Sequence, residues 1–181
     1  MTRYIALLRG VNISGKNKIP MPELKACLTD AGLYSVSTCL NSGNILFSSE
    51  NPDKTALADT IRAAVLSRFG ADVPVLVLRQ TGLADILARA PDWWGTDSRE
   101  IYDNLIFVLP GCTAGEIADR IGPPSAGLEQ IFICGEVIFW SFDRKNYTRS
   151  SWWKTTARPG IGEHITIRTA NTLRKLVDTQ S

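Results

Sequence analysis

The chain has 181 residues, 44% of them hydrophobic and 21% charged, with a net charge of +2, a balance that suits a globular protein and excludes a disordered one. No apolar run approaches the roughly 18 residues of a membrane span, and Ile5 to Leu8 is too short for a signal-peptide core, so no membrane partner and a cytoplasmic location are expected. Cys27, Cys39, Cys112 and Cys134 are scattered without a CxxC pair and read as buried thiols, and His164 is the single histidine, so neither a metal nor another cofactor is expected.

An apolar run from Tyr4 to Leu8 predicts a first strand, which empties into a polar loop from Arg9 to Met21. Pro22-Glu23 then opens a helix with Leu24, Leu28 and Ala31 on one face and Gly32 as its stop. Val36, Thr38 and Leu40 alternate with Ser35, Ser37 and Cys39 as a second strand, and Asn41-Ser42-Gly43 turns into a third over Asn44 to Ser48. A cap at Asn51-Pro52-Asp53 starts a helix striped by Leu57, Ile61, Val65 and Phe69, and Val73 to Leu78 is a fourth strand. The order βαββαβ is a ferredoxin-like unit.

Thr81 to Ala90 predicts a connecting helix, and Asp92 to Asp103 a loop. The pattern then begins again. Leu105 to Leu109 is a strand, and Thr113-Ala-Gly-Glu116 is a capping box for a helix carrying Ile117 and Ile121. Leu128 to Ile133 and Val137 to Phe142 form a hairpin across Gly135-Glu136, followed by a short helix at Tyr147 to Ala157, a strand at Ile165 to Ile167 and a helix at Thr169 to Val177. The fold class expected is α+β: two ferredoxin-like subdomains with mainly antiparallel sheets, residues 1 to 79 and 104 to 181, joined by a helix and loop over 80 to 103. One mixed sheet with helices on one face is the other architecture open to this pattern.

Charge is unevenly spread. Residues 1 to 22 carry +4, residues 23 to 142 carry −7 and residues 143 to 181 carry +5. If the fold joins the two basic ends, they favour an anionic partner; otherwise they are solvated charges. Within the first loop, Gly10-x-x-x-x-Gly15-Lys16 matches most of a nucleotide-binding P-loop, but Asn17 stands where a hydroxyl should bind magnesium, and Pro20 falls where the helix should be running. What is left is either an anion nest of backbone amides with Arg9, Asn12, Lys16 and Lys18, or turn glycines with solvated lysines. Asn44 adjoins the hairpin turn that asparagine favours, yet strands one and three are neighbours in a ferredoxin-like unit, so Arg9 and Asn44 would share one sheet edge. A third cluster, Arg168-Thr169-Ala170-Asn171-Thr172, puts a cation and helix amides where a strand ends, with Thr169 or Asn171 as the cap. Upstream, Arg144, Lys145, Tyr147, Arg149, Trp152, Trp153, Lys154 and Arg158 interleave aromatics with cations, which suits base stacking or a flap packed on the core or a partner subunit.

Three runs, Arg9-Gly10-Val11-Asn12 with Gly15 to Met21, Ser42-Gly43-Asn44-Ile45 with Phe47, and Thr166, Arg168, Asn171-Thr172 and Lys175-Leu176, resemble the bacterial family called domain of unknown function 1697. The resemblance covers nearly the whole chain. Where the family tends to have asparagine and an aromatic after the arginine, this chain has Thr169 and Ala170. The resemblance implies a two-lobed α+β fold and brings no activity with it.

Residues and resemblance together lead to an expected function: binding of an anionic small molecule, or a nucleic acid, by Arg9, Asn12, Lys16, Lys18, Asn44, Arg168 and Asn171. Acylphosphatases are similar in fold to one such half and hold phosphate with an arginine and an asparagine at places comparable to Arg9 and Asn44, so a small hydrolase is the alternative. A homo-oligomeric subunit held by the tryptophan segment is the third.

Overall fold

The structure, a computed structural model, describes residues 1–13, 15 and 17–179. Its elements are β1 (Thr2–Leu8), α1 (Met21–Asp30), β2 (Tyr34–Cys39), β3 (Asn44–Ser49), α2 (Lys54–Phe69), β4 (Val75–Arg79), α3 (Gln80–Leu87), β5 (Ile101–Val108), α4 (Ala114–Ile121), β6 (Glu129–Cys134), β7 (Val137–Asp143), α5 (Ser151–Thr155), β8 (Ile165–Thr169) and α6 (Ala170–Asp178). They form two units, residues 1–85 with the stretch from Arg174 onward, and Ile86–Leu173.

Each unit is built on a four-stranded sheet in which every pair is antiparallel. The strand orders are β2-β3-β1-β4 and β6-β7-β5-β8, one topology used twice, so both halves are ferredoxin-like. In the first, alternation along β1 turns Tyr4, Ala6 and Leu8 toward Leu24 and Leu28 of α1 and Leu57, Ile61 and Val65 of α2. In the second, Ile106 and Val108 of β5 join Ile117 and Ile121 of α4 and Trp152 of α5. The opposite strand faces are buried too: Ile5, Leu7 and Leu46 in one unit, Leu105, Phe107 and Phe139 in the other. Central strands covered on both faces read as continuous apolar runs, which is why β1 was the plainest strand in the sequence.

Several boundaries differ from the sequence reading. β5 begins at Ile101, not Leu105, because Asp103 and Asn104 are ladder residues opposite Ser141 and Trp140. Leu40 is half exposed at φ +60, just past β2, so it does not continue the strand's inward face. The predicted helix over Tyr147 to Ala157 is a 3₁₀ turn at Tyr147–Arg149 followed by the single-turn α5. All four cysteines are free thiols but half-buried, not buried, and burial pushes the Cys27 thiol up. Among the described residues no helix is long and apolar enough to cross a membrane, and no group of His, Cys, Asp or Glu could hold a metal ion.

Candidate functional site

The loop from Arg9 to Pro20 is framed by its asparagines. Asn12 adopts φ +54, a left-handed conformation that asparagine tolerates. Its side-chain amide pairs with Ile19 in both directions: Nδ2 donates to the Ile19 carbonyl at 2.9 Å and Oδ1 accepts the Ile19 N–H at 2.8 Å. The same Nδ2 donates to the Asn41 carbonyl at 2.9 Å, tying the loop to the β2–β3 hairpin. Asn17 Nδ2 closes the loop's neck on the Gly10 carbonyl at 3.1 Å. Val11 and Ile19 sink into the core below. Asn12 is therefore the frame of this loop, not a free donor on it.

Above that frame lies a shallow depression of about 430 Å³ lined by Asn12, Lys18, Ile19, Pro20, Met21 and Asn41. Lys18 is exposed on its rim. The depression adjoins the start of α1, whose N-cap is Pro20, extended and without a side-chain hydrogen bond to the first turn. Pro22 in the first turn has no N–H, so the amides left without a side-chain acceptor there are those of Met21 and Glu23. Arg9 is half-buried and its N–H donates to the Pro74 carbonyl at 2.9 Å. Lys16 lies outside the described residues.

The hairpin meets the loop through a glycine. Leu8 N–H donates to the Gly43 carbonyl at 2.8 Å, and a Cβ at Gly43, where φ is +72, would lie 2.8 Å from Leu8 Cβ and 3.2 Å from Val11 Cβ. No larger residue fits there without moving the backbone. Asn44 stands opposite Leu7 in the ladder, as the adjacency of strands one and three requires. It is fully buried, and its Nδ2 donates to the Cys39 carbonyl at 3.0 Å and to Ser42 Oγ at 3.1 Å. Asn12 and Lys18 thus share one depression, with Asn44 anchoring the hairpin beside it.

Arg168 and Asn171 belong to the second unit. Arg168 is buried on β8; its Nη1 donates to Thr166 Oγ1 at 2.9 Å and to the Ile167 carbonyl at 2.8 Å, and desolvation pushes its pKa down to about 10. Asn171 is exposed in the first turn of α6. Thr169 caps that helix, accepting the Thr172 N–H at 3.4 Å and bonding Thr172 Oγ1 at 3.0 Å. Thr169 and Asn171 line a pocket of about 260 Å³ together with Arg144, which the sequence pattern grouped with the tryptophan segment, and Asp103, which it did not mark as a site. Asp103 was hidden because it precedes the apolar run used to place the strand.

The tryptophan segment divides by depth. Trp152 is fully buried and its Nε1 donates to the Gly122 carbonyl at 2.9 Å, whereas Trp153 remains 47% exposed, edge-on to Tyr147. Glu129 organises this corner. Its buried carboxylate accepts the N–H groups of Ser125 at 2.8 Å, Ser151 at 3.1 Å and Trp152 at 3.1 Å, and the hydroxyls of Ser150 and Ser151. Desolvation alone would raise its pKa, but hydrogen bonds from Ser150, Ser125, Ser151 and Trp152 outweigh it and hold the carboxyl below its ordinary value.

The chain is similar to a conserved bacterial protein of Streptococcus pneumoniae, SP0830, whose solved structure matches with a TM-score of 0.83 and 29% sequence identity over 97% of each chain. Residues 1–139 match the family model described as protein of unknown function (DUF1697). Among curated proteins none matches.

Proposed function

The chain belongs to that family of unknown function, and from this premise we propose that the protein binds a phosphate-bearing or otherwise anionic ligand at the loop between β1 and α1. The observation that supports it is a side-chain-uncapped helix start beside a depression rimmed by Lys18. Pro22 has no N–H, so the first turn offers the Met21 and Glu23 amides, and these with the Lys18 ammonium are the donors available to an anion, against the Glu23 carboxylate in the same turn. A framed loop loses little entropy when it is occupied. Lys18 supplies the charge, while Asn12 holds the loop's shape. A hydrolytic role would ask Asn44 to orient a water, and its Nδ2 is already committed to Cys39 and Ser42, so binding is the reading we adopt.

The test is a thermal-shift series with inorganic phosphate, nucleotides, sugar phosphates and oligonucleotides on the wild type and Lys18→Ala. A ligand at about 100 times its Kd stabilises by roughly 2.7 kcal/mol, a rise in Tm of about 5 to 10 °C for a chain of this size. The rise should shrink in Lys18→Ala. If none of the anions shifts the wild type, or the substitution leaves every shift unchanged, the proposal fails. Should oligonucleotides prove the best ligands, log affinity should fall against log salt by about 0.9 per duplex phosphate neutralised.

A further inference from the structure

The second unit holds a pocket of about 260 Å³ between the start of β5, the end of β7 and the first turn of α6. Its floor carries Asp103, which is only 7% exposed. One carboxylate oxygen of Asp103 accepts from Ser141 Oγ across the β5–β7 ladder; among the described residues the other has no hydrogen-bond partner. That oxygen is not among the buried unpartnered side-chain atoms, so it is open to a donor that enters the pocket. The rim carries the opposite charge. The Arg144 guanidinium lies 4.0 Å over the ring of Tyr102 and makes no hydrogen bond to any described residue, so its donors are available to a ligand. Beside it the α6 start contributes first-turn amides and the Asn171 side chain, which likewise has no protein partner among the described residues.

We propose that this pocket binds a small two-headed metabolite, whose carboxylate or phosphate lies between Arg144 and the start of α6 and whose ammonium or hydroxyl donates to Asp103. An anion alone would meet the Asp103 carboxylate unfavourably, and a cation alone would meet Arg144 and the helix start. Only a ligand with both heads satisfies both walls. The volume suits a molecule the size of an amino acid or a triose phosphate. This site lies within the second unit, whereas Lys18 belongs to the first.

Calorimetric titration of the full chain with L-serine and with glycerol 3-phosphate distinguishes the ammonium-carboxylate source from the hydroxyl-phosphate one. Acetate and ethanolamine serve as single-headed controls. We expect one of the two-headed probes to bind, and Arg144→Ala to weaken it roughly tenfold or more, the usual loss for a hydrogen bond to a charged group. Asp103→Asn should weaken the same probe while keeping an oxygen for Ser141; since Asp103 is buried, Asn171→Ala on the exposed rim provides a second variant should Asp103→Asn fail to fold. Three results would each overturn the assignment: neither two-headed probe binds, acetate binds as tightly as they do, or the bound probe is lost with Lys18→Ala and unaffected by Arg144→Ala.

Discussion

The two units use one strand order, yet they close the first strand-to-helix connection in opposite ways. Between β5 and α4 the chain needs only Leu109 to Thr113, and the helix start is satisfied from within: Thr113 Oγ1 accepts the Glu116 N–H at 3.2 Å while Glu116 accepts the Thr113 N–H at 2.8 Å. Between β1 and α1 the chain runs from Arg9 to Pro20, frames itself on Asn12 and Asn17, and leaves the helix start without a side-chain cap. The same topology therefore tolerates a finished turn or an open one. An open, framed turn is where binding can be added without disturbing the sheet.

The second crossover shows a further difference. In the first unit α2 runs from Lys54 to Phe69 and buries Leu57, Ile61 and Val65, capped by Asp53 and ended by Gly70 in the left-handed region. In the second unit the equivalent crossover holds one turn of helix, and Trp152 with the Glu129 carboxylate takes the place of that stripe. One large ring and one carboxylate replace several aliphatic contacts, so the load should fall on fewer residues.

The largest effect should come from Trp152→Ala. Removing a fully buried tryptophan that also bonds Gly122 should cost about 3 to 5 kcal/mol, read as a lower urea midpoint. A loss below about 1 kcal/mol would mean that α5 does not carry this corner. Next, Glu129→Gln should cost roughly 1.5 to 3 kcal/mol, the price of removing charge-assisted hydrogen bonds from a buried acceptor. The sign with pH is definite. Because the folded carboxyl titrates below its ordinary value of 4.5, its stabilisation is fully present above that value and is lost as pH falls through the folded one. Stability measured against pH should therefore fall less steeply on the acid side in Glu129→Gln than in the wild type; equal slopes would remove Glu129 from this role.

The smallest effects test the two helix starts directly. Thr113→Ala should destabilise by about 0.5 to 2 kcal/mol through loss of the α4 cap. Pro20→Asp would give α1 the kind of carboxylate cap that α2 has in Asp53, moving Tm little while weakening any anion bound beside Lys18. Undiminished anion binding in that variant would place the ligand elsewhere.

Legibility in the sequence followed how local each determinant was. The capping box at Thr113, the stripe of α2 and the hairpin over Gly135 depend on neighbours a few residues away, and the pattern shows them. The roles of Asn12 and Asn44 do not. Asn12 reads as a polar loop residue and Asn44 as the polar first residue of a strand, each with donors to offer, but Asn12 uses its amide on Ile19 and Asn41, and Asn44 uses its own on Cys39 and Ser42. An amide's availability depends on which carbonyls folding brings within reach, and residue type alone does not report that. Asp103 fails in the other direction: a charged residue before an apolar run reads as loop, although strand pairing with Ser141 buries it.

By itself the sequence determined the α+β class and the repeated βαββαβ order, because hydrophobic periodicity and turn residues are local signals. It also showed the positive loop between the first strand and helix. Only the tertiary structure decided that Gly43 must be glycine, since the clash is with Leu8 and Val11 far along the chain. It alone decided that the asparagines of the first loop are frame and Lys18 is rim, and that Asp103 and Arg144 face one pocket in the second unit. These are facts of long-range contact, and a hydrogen bond or a clash exists only once the distant partner is in place.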